Sequence, residues 1–263
     1  MRSISRAVVP AHVIHSRFGH CGNDRLHRAR SRSINFPVHD SLHHDPTTCD
    51  ACQAGAGKRT PFPKRTVQKF KLFGQRLSSD LCGPFPNSVH GKTYALCIVD
   101  AATNILFVEY LESKSSELVK AAFQKFINEY RVQLDACRRA GHDVTWHTDN
   151  GGEFVSHDLD EFCDEFAVKR SFSVPYSPQL NSHAERMWGI LLRTVRVTIA
   201  ESGISERFWT YAMDNAVNLH NSLPSRKHPD HISPYEALTG DKPDLGKFKV
   251  FGCIVWHFLP ERG

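Results

Sequence analysis

"HDVTWHTDNGGEF", His142 to Phe154, runs an alternating apolar stretch into a carboxylate and then into a turn. Alternation up to Thr148 predicts a strand, and Asn150-Gly151-Gly152 predicts a sharp bend directly after it, so Asp149 is expected at a strand end. Two readings of Asp149 stand open here. In one the residue only helps the chain turn and is solvated. In the other it holds a metal ion, which requires further acids from elsewhere in the chain.

Working outward, "FGQRLSSDL" (73–81), "KTYALCIVDAAT" (92–103) and "NILFVEYLES" (104–113) read as three strands whose short spacings favour antiparallel hairpins. "SSELVKAAFQKFINEYRVQLDACRRAG" (115–141) reads as one helix with a Ser cap, a Gly stop, and Leu118, Ala121, Ala122, Phe126 and Tyr130 at helical spacing. Beyond Asp149 come a helix around "SHDLDEFCDEF" (156–166), the strand "AVKRSFSV" (167–174), and two helices, "NSHAERMWGILLRTVRVTIAESG" (181–203) and "ERFWTYAMDNAVNLHNSL" (206–223). This order builds an α/β fold, a mixed sheet with helices on both faces.

Composition narrows the function classes. At 40% hydrophobic and 23% charged, the 263-residue chain is not mainly disordered. No apolar run approaches the roughly 18 residues of a membrane span, so no membrane partner is expected. Charge is uneven: residues 1–73 carry 13 Lys and Arg against 4 Asp and Glu, while the remainder carries 20 against 24. A basic front end suits a polyanion such as nucleic acid, or is a solvated arm. Of the eight cysteines, Cys21, Cys82, Cys97, Cys137, Cys163 and Cys253 stand singly and are expected as small buried hydrophobes.

The acids that this strand order delivers to the same sheet edge as Asp149 are Asp80, in "SSDLCGPF", and Glu185, in "QLNSHAERMWG". Between Asp149 and Glu185 lie 35 residues, room for a helix, a strand and the approach to the next helix. Three carboxylates of this kind meet the needs of two Mg²⁺ ions clamping the attacking and leaving oxygens of a phosphoryl displacement.

"SSDLCGPF", "HTDNGGEF" and "VPYSPQLNSHAER", in that order, resemble the retroviral-type integrase core of Ty1/copia-class retrotransposons. The resemblance continues through "FWTYAMDNAVNLHNSLPS" and "SPYEALTGDKPDLGKFKVFGC". It implies an RNase H-like fold with a five-stranded sheet, an Asp80, Asp149, Glu185 triad, two Mg²⁺ (or Mn²⁺) per active site, and 3′-end processing followed by DNA strand transfer. DNA and a homo-oligomer are the implied partners, with no small-molecule cofactor, and the implied location is nuclear.

The front end agrees with it. "HSRFGH" and "CDAC" supply His15, His20, Cys49 and Cys52 as H-x4-H, 28 residues, C-x2-C, a donor set for one structural Zn²⁺. Zinc would fold a segment too poor in apolar residues to fold alone. His12, His43 and His44 are decoys in this reading. The expected organisation is a basic zinc-binding segment (1–60), a linker (61–72), the catalytic core (73–240) and a truncated C-terminal tail (241–263). Asn150 and the arginines Arg186, Arg193 and Arg196 are the expected DNA contacts, with Gly151 and Gly152 letting the backbone approach substrate. One departure from the family pattern is Ser182 after Asn181, where a glycine is usual. It leaves a rival expectation of a catalytically inactive or domesticated DNA-binding remnant, beside that of a related transposase or nuclease on the same fold.

Overall fold

The computed structural model describes residues 8–39, 41–55, 70–173, 182–228 and 230–254. The expected linker, apart from 70–72, and residues 174–181 ahead of Ser182 lie outside the described residues. The chain opens with three short helices, α1 (Ala11–Arg17), α2 (Asn23–Ser31) and α3 (Asp50–Gly55). Strands β1 (Leu77–Cys82), β2 (Tyr94–Asp100) and β3 (Leu106–Leu111) follow as two antiparallel hairpins. Helices α4 (Ser116–Glu129) and α5 (Arg131–Arg139) then cross to β4 (Val144–Thr148), and α6 (His157–Glu165) crosses to β5 (Val168–Phe172). Both crossovers return parallel strands, giving one mixed sheet in the order β3-β2-β1-β4-β5. Helices α7 (Ser182–Ser202), α8 (Trp209–Ser222) and α9 (Pro234–Thr239) complete the chain.

One helix was expected where α4 and α5 stand. The break falls at Tyr130, whose φ of −106° and ψ of 20° leave the helical region. It turns two apolar faces, Val119, Ala122, Phe123, Phe126 and Ile127 on α4 and Leu134 and Cys137 on α5, onto one side of the sheet. Ala121, expected inside, is exposed. On this side Trp146 of β4 stacks on Phe123 with 3.7 Å between ring centroids, and its indole N–H donates to Ser79 Oγ at 2.6 Å.

The other side is covered by α7 and α8. Ala95, Cys97 and Val99 meet Ala184, Met187, Trp188 and Leu191 of α7 and Trp209, Ala212, Met213 and Ala216 of α8. A third cluster unites Ile14, Phe18, Leu26 and Leu42 with Leu219, Leu223, Leu245 and Phe248. The N-terminal helices therefore share a core with the far end of the chain, which is why their own sequence shows so little periodicity. Helix α9 was not anticipated, although Ser233, Pro234 and Gly240 are ordinary start and stop signals. Among the single cysteines, Cys97, Cys137 and Cys163 are buried as expected; Cys21 and Cys82 are half-buried and Cys253 is exposed.

A buried imidazole makes the fold acid-sensitive. His220 of α8 lies against Asn104, its Nε2 3.0 Å from that residue's carbonyl, and burial followed by the charge of Arg25 holds its pKa down to about 4 from 6.5. The neutral form is the folded one, so this contribution is whole above pH 6.5 and is lost as pH falls toward 4. At about 1.4 kcal/mol per decade, the full loss is about 3 kcal/mol. Urea unfolding at pH 7 and pH 4.5 should show a steeper fall for the wild type than for His220→Gln; equal slopes would refute the assignment.

Candidate active site and metal centre

β1 and β4 are parallel, with Leu77 beside Trp146 and Ser78 beside His147. The same offset, carried two residues past the paired positions, brings Asp149 level with Asp80. Strand side chains alternate between faces, so Ser78, Asp80 and Cys82 share a face that Leu77 and Ser79 do not. Cys82 packs in the cluster under α7 and α8, while Leu77 belongs to the opposite core. Asp80 thus faces α7, and by the same parity so does Asp149. Glu185 enters from the first turn of α7, exposed beside the buried Ala184.

The carboxyl of Asp80 feels the charge of the other acids. Burial first, then the negative charge of Asp149, with smaller contributions from Glu185 and Glu153, pushes the Asp80 carboxyl up to about 6. A backbone hydrogen bond from Leu81 pulls the other way without cancelling it. A carboxyl raised in this way beside further oxygen donors suits a divalent cation, which would offset the repulsion on Asp80.

Glu153 is an acid that the sequence reading did not single out. It reaches the site because the turn folds back on itself: Gly151 N–H donates to Asp149 Oδ1 at 3.0 Å and Phe154 N–H to the Gly151 carbonyl at 2.9 Å. A Cβ on Gly151 would lie 2.9 Å from the Glu153 carboxylate and 3.1 Å from Asp149 Oδ1. Gly151 thus passes close to the movable ends of two acidic side chains. A Cβ on Gly152 would meet nothing within 4 Å, so that position carries no such requirement.

The expected DNA contacts fall in different places. Asn150 is exposed and its amide donates to the Ser173 carbonyl at 3.0 Å. Arg186, Arg193 and Arg196 are all exposed on α7, Arg186 one residue from Glu185, Arg193 beside Gly55 of α3. Just ahead, His183 is held well down, to about 3, by burial and then by Lys227 and Arg186, and its Nε2 is 3.0 Å from Asn104 Oδ1. Neutral at any working pH, that imidazole anchors the start of α7 to the β2–β3 turn.

At the other end of the molecule His15, His20, Cys49 and Cys52 offer four ligand atoms that all lie within 4.8 Å of one another. Helix α1 ends with Gly19 and His20 both at positive φ, 63° and 57°, which swings the His20 ring back beside His15 at 4.7 Å between centroids. A side chain at Gly19 would also meet Leu219 Cδ1 at 2.8 Å, so both backbone and packing favour glycine there. Helix α3 carries both Cys52 and, through its first turn, the approach from Cys49. Burial, then the neighbouring His20 and His44, lowers His15 to about 4, leaving a neutral donor. Burial and Cys49 push the Cys52 thiol up to about 11. A dication supplies what this pair lacks for both sulfurs to become thiolates, so the donor set fits zinc. Of the decoys, His44 stacks 4.4 Å from His15 and stays outside the quartet.

Comparison with known proteins agrees with this architecture. Residues 73–178 match the integrase core domain family. The chain is 28% identical over 250 residues to the retrovirus-related Pol polyprotein from transposon TNT 1-94 of Nicotiana tabacum, covering 94% of this chain and 18% of that polyprotein. It is 29% identical over 250 residues to the corresponding polyprotein from transposon RE1 of Arabidopsis thaliana, covering 93% and 16%. The chain thus spans less than a fifth of the length of these curated relatives. Among solved structures, a chain of the simian T-cell lymphotropic virus intasome, in complex with PP2A regulatory subunit B56 gamma, matches with a TM-score of 0.55 at 16% identity, covering 97% of this chain and 77% of that one. At that identity the likeness speaks for the fold alone. Sheet order, family match and relatives point the same way: residues 73–178 match the integrase core domain family, and the chain as a whole is similar to a stretch of the Pol polyproteins of plant retrotransposons.

Proposed function

We propose that the chain catalyses metal-dependent 3′-end processing and strand transfer on the DNA of its element. The observation that supports this reading is geometric: the β1–β4 register sets Asp80 level with Asp149 on the face that α7 covers, and Glu185 stands in the first turn of that helix. Asp80, Asp149 and Glu185 would hold two Mg²⁺ (or Mn²⁺) ions, which supply Lewis-acid stabilisation of the attacking and leaving oxygens. The chain's own residues position the reactants. β1 and β4 set two carboxylates side by side on a rigid sheet, and α7 brings the third. In processing, water attacks a phosphodiester near the 3′ end and frees a 3′-hydroxyl. In joining, that hydroxyl attacks a target phosphodiester, one P–O bond forming as another breaks, with no covalent bond to protein.

Asn150, Arg186, Arg193 and Arg196 would contact the DNA, Arg186 nearest the acids. Joining two ends implies more than one copy of the chain, in line with the intasome named for the solved neighbour; the role implies a nuclear site of action. Zinc would sit on His15, His20, Cys49 and Cys52 in the basic N-terminal segment, whose helices share a core with Leu219, Leu223, Leu245 and Phe248. Purified protein should hold about one zinc per chain, and Cys49→Ser should hold none after dialysis against a mild chelator. Metal analysis finding equal zinc in both would remove these residues from the site.

The test of activity is incubation with Mg²⁺ or Mn²⁺ and a labelled duplex bearing the parent element's terminal sequence. Joined products support strand transfer. A folded, zinc-loaded protein that binds the duplex without cutting or joining it would instead favour the remnant reading.

A further inference from the structure

We propose that Glu201, near the C-terminal end of α7, is the outer partner of the zinc ligand His20, so that the catalytic core completes the zinc centre. This rests on the zinc reading above. Each imidazole of the quartet points one nitrogen inward and has the other tied down. His15 sets Nε2 3.2 Å from Cys52 Sγ, and its Nδ1 lies 3.3 Å from the Cys21 carbonyl, within its own segment. His20 is arranged the opposite way round. Its Nδ1 lies 3.4 Å from Cys49 Sγ and 3.7 Å from Cys52 Sγ, while Nε2 meets Glu201 Oε2 at 2.7 Å.

The contact is set up for orientation. The His20 side chain is 1% exposed and that of Glu201 31%, so the pair is shielded from water on the ligand's side. A carboxylate accepting the Nε2–H fixes the tautomer that leaves Nδ1 free for metal, and makes that nitrogen a stronger donor. The second carboxylate oxygen accepts the Ser16 hydroxyl, so Glu201 holds both α1 and the turn that follows it. The helices are also packed tightly enough to keep this register. A Cβ on Gly55 would stand 2.6 Å from Val197 Cγ2, one turn before Glu201.

Glu185 and Glu201 lie on one unbroken helix, about 24 Å apart at 1.5 Å per residue. Zinc binding in this arrangement clamps α1 and α3 onto the helix that carries a catalytic acid, and α7 in return tightens the metal.

The experiment is zinc titration of the full chain against a chromophoric chelator, for wild type, Glu201→Gln, Glu201→Ala and Ser16→Ala, with thermal midpoints of zinc-loaded and zinc-free samples. Glu201→Ala should weaken zinc by about 10–100-fold and Glu201→Gln by somewhat less, since the amide keeps an acceptor without the charge. Ser16→Ala should stay near wild type. The midpoint difference between loaded and free protein should narrow in the Glu201 variants. Unchanged zinc affinity with both midpoints lowered equally would reduce Glu201 to an ordinary packing contact and overturn the proposal. Wild type that binds no zinc would instead fail the zinc reading itself.

Discussion

Asp149→Asn is expected to give a folded chain whose strand transfer falls by about 10³-fold or more. The substitution is close to isosteric. Its remaining carbonyl oxygen still accepts from Gly151 N–H, which wild-type Asp149 Oδ1 holds at 3.0 Å, so the turn should survive. What disappears is one negative charge from a cluster that already raises Asp80. Less repulsion means that thermal stability should stay level or rise slightly while joining is lost, the signature of a site strained for function. Asp80→Asn and Glu185→Gln should behave alike, and the three losses should not add, since each would remove a ligand of the one proposed metal site. Joined product within tenfold of wild type in any one of them would take that acid out of the proposed triad.

The second large effect concerns stability. Phe123→Ala removes a ring fully buried between Trp146, Phe126 and Phe162, with centroids at 3.7, 5.9 and 6.3 Å. Large-to-small changes of this kind cost about 3–5 kcal/mol. A domain has about 5–15 kcal/mol in all, so the variant should unfold at far lower urea and accumulate poorly. The cavity would sit directly beneath β4, on the face opposite Asp149. Phe123→Leu, filling most of the space, should recover more than half of the loss. A midpoint for Phe123→Ala within 1 kcal/mol of wild type, a rough experimental margin, would mean the two rings do not stack as described.

How much of this was readable beforehand depended on where each element finds its partners. The strands and the helices over the sheet carry their own periodicity, and Asp149 and Glu185 sit just past a strand end and at a helix start that local rules locate, whereas Asp80, expected to end its strand, lies inside β1 with Leu81 and Cys82 still paired beyond it. The front helices do not: Ile14, Phe18 and Leu26 are too few to mark a face, because half of their core is Leu219, Leu223, Leu245 and Phe248, some two hundred residues on. The break at Tyr130 was hidden for a related reason, since "NEYRVQ" contains no breaker and tertiary packing bends it. Glu153 and Glu201 gave no signal at all. Each is an acid on a surface with many acids, and only the turn around Gly151 and the docking of α1 on α7 bring them to a site.

The shared facing of Asp80 and Asp149 is a matter of counting. Both look toward α7 because each stands an odd number of residues beyond a position buried in the opposite core, Asp80 three past Leu77 and Asp149 three past Trp146. Deleting or inserting one residue between Leu77 and Asp80 would turn the carboxylate into the aromatic side of the sheet, whereas many substitutions there would leave it in place. The lengths of Leu77–Asp80 and Trp146–Asp149 are thus as binding as the identity of the acids that end them, and a single-residue slip of register would silence the site as surely as losing an acid.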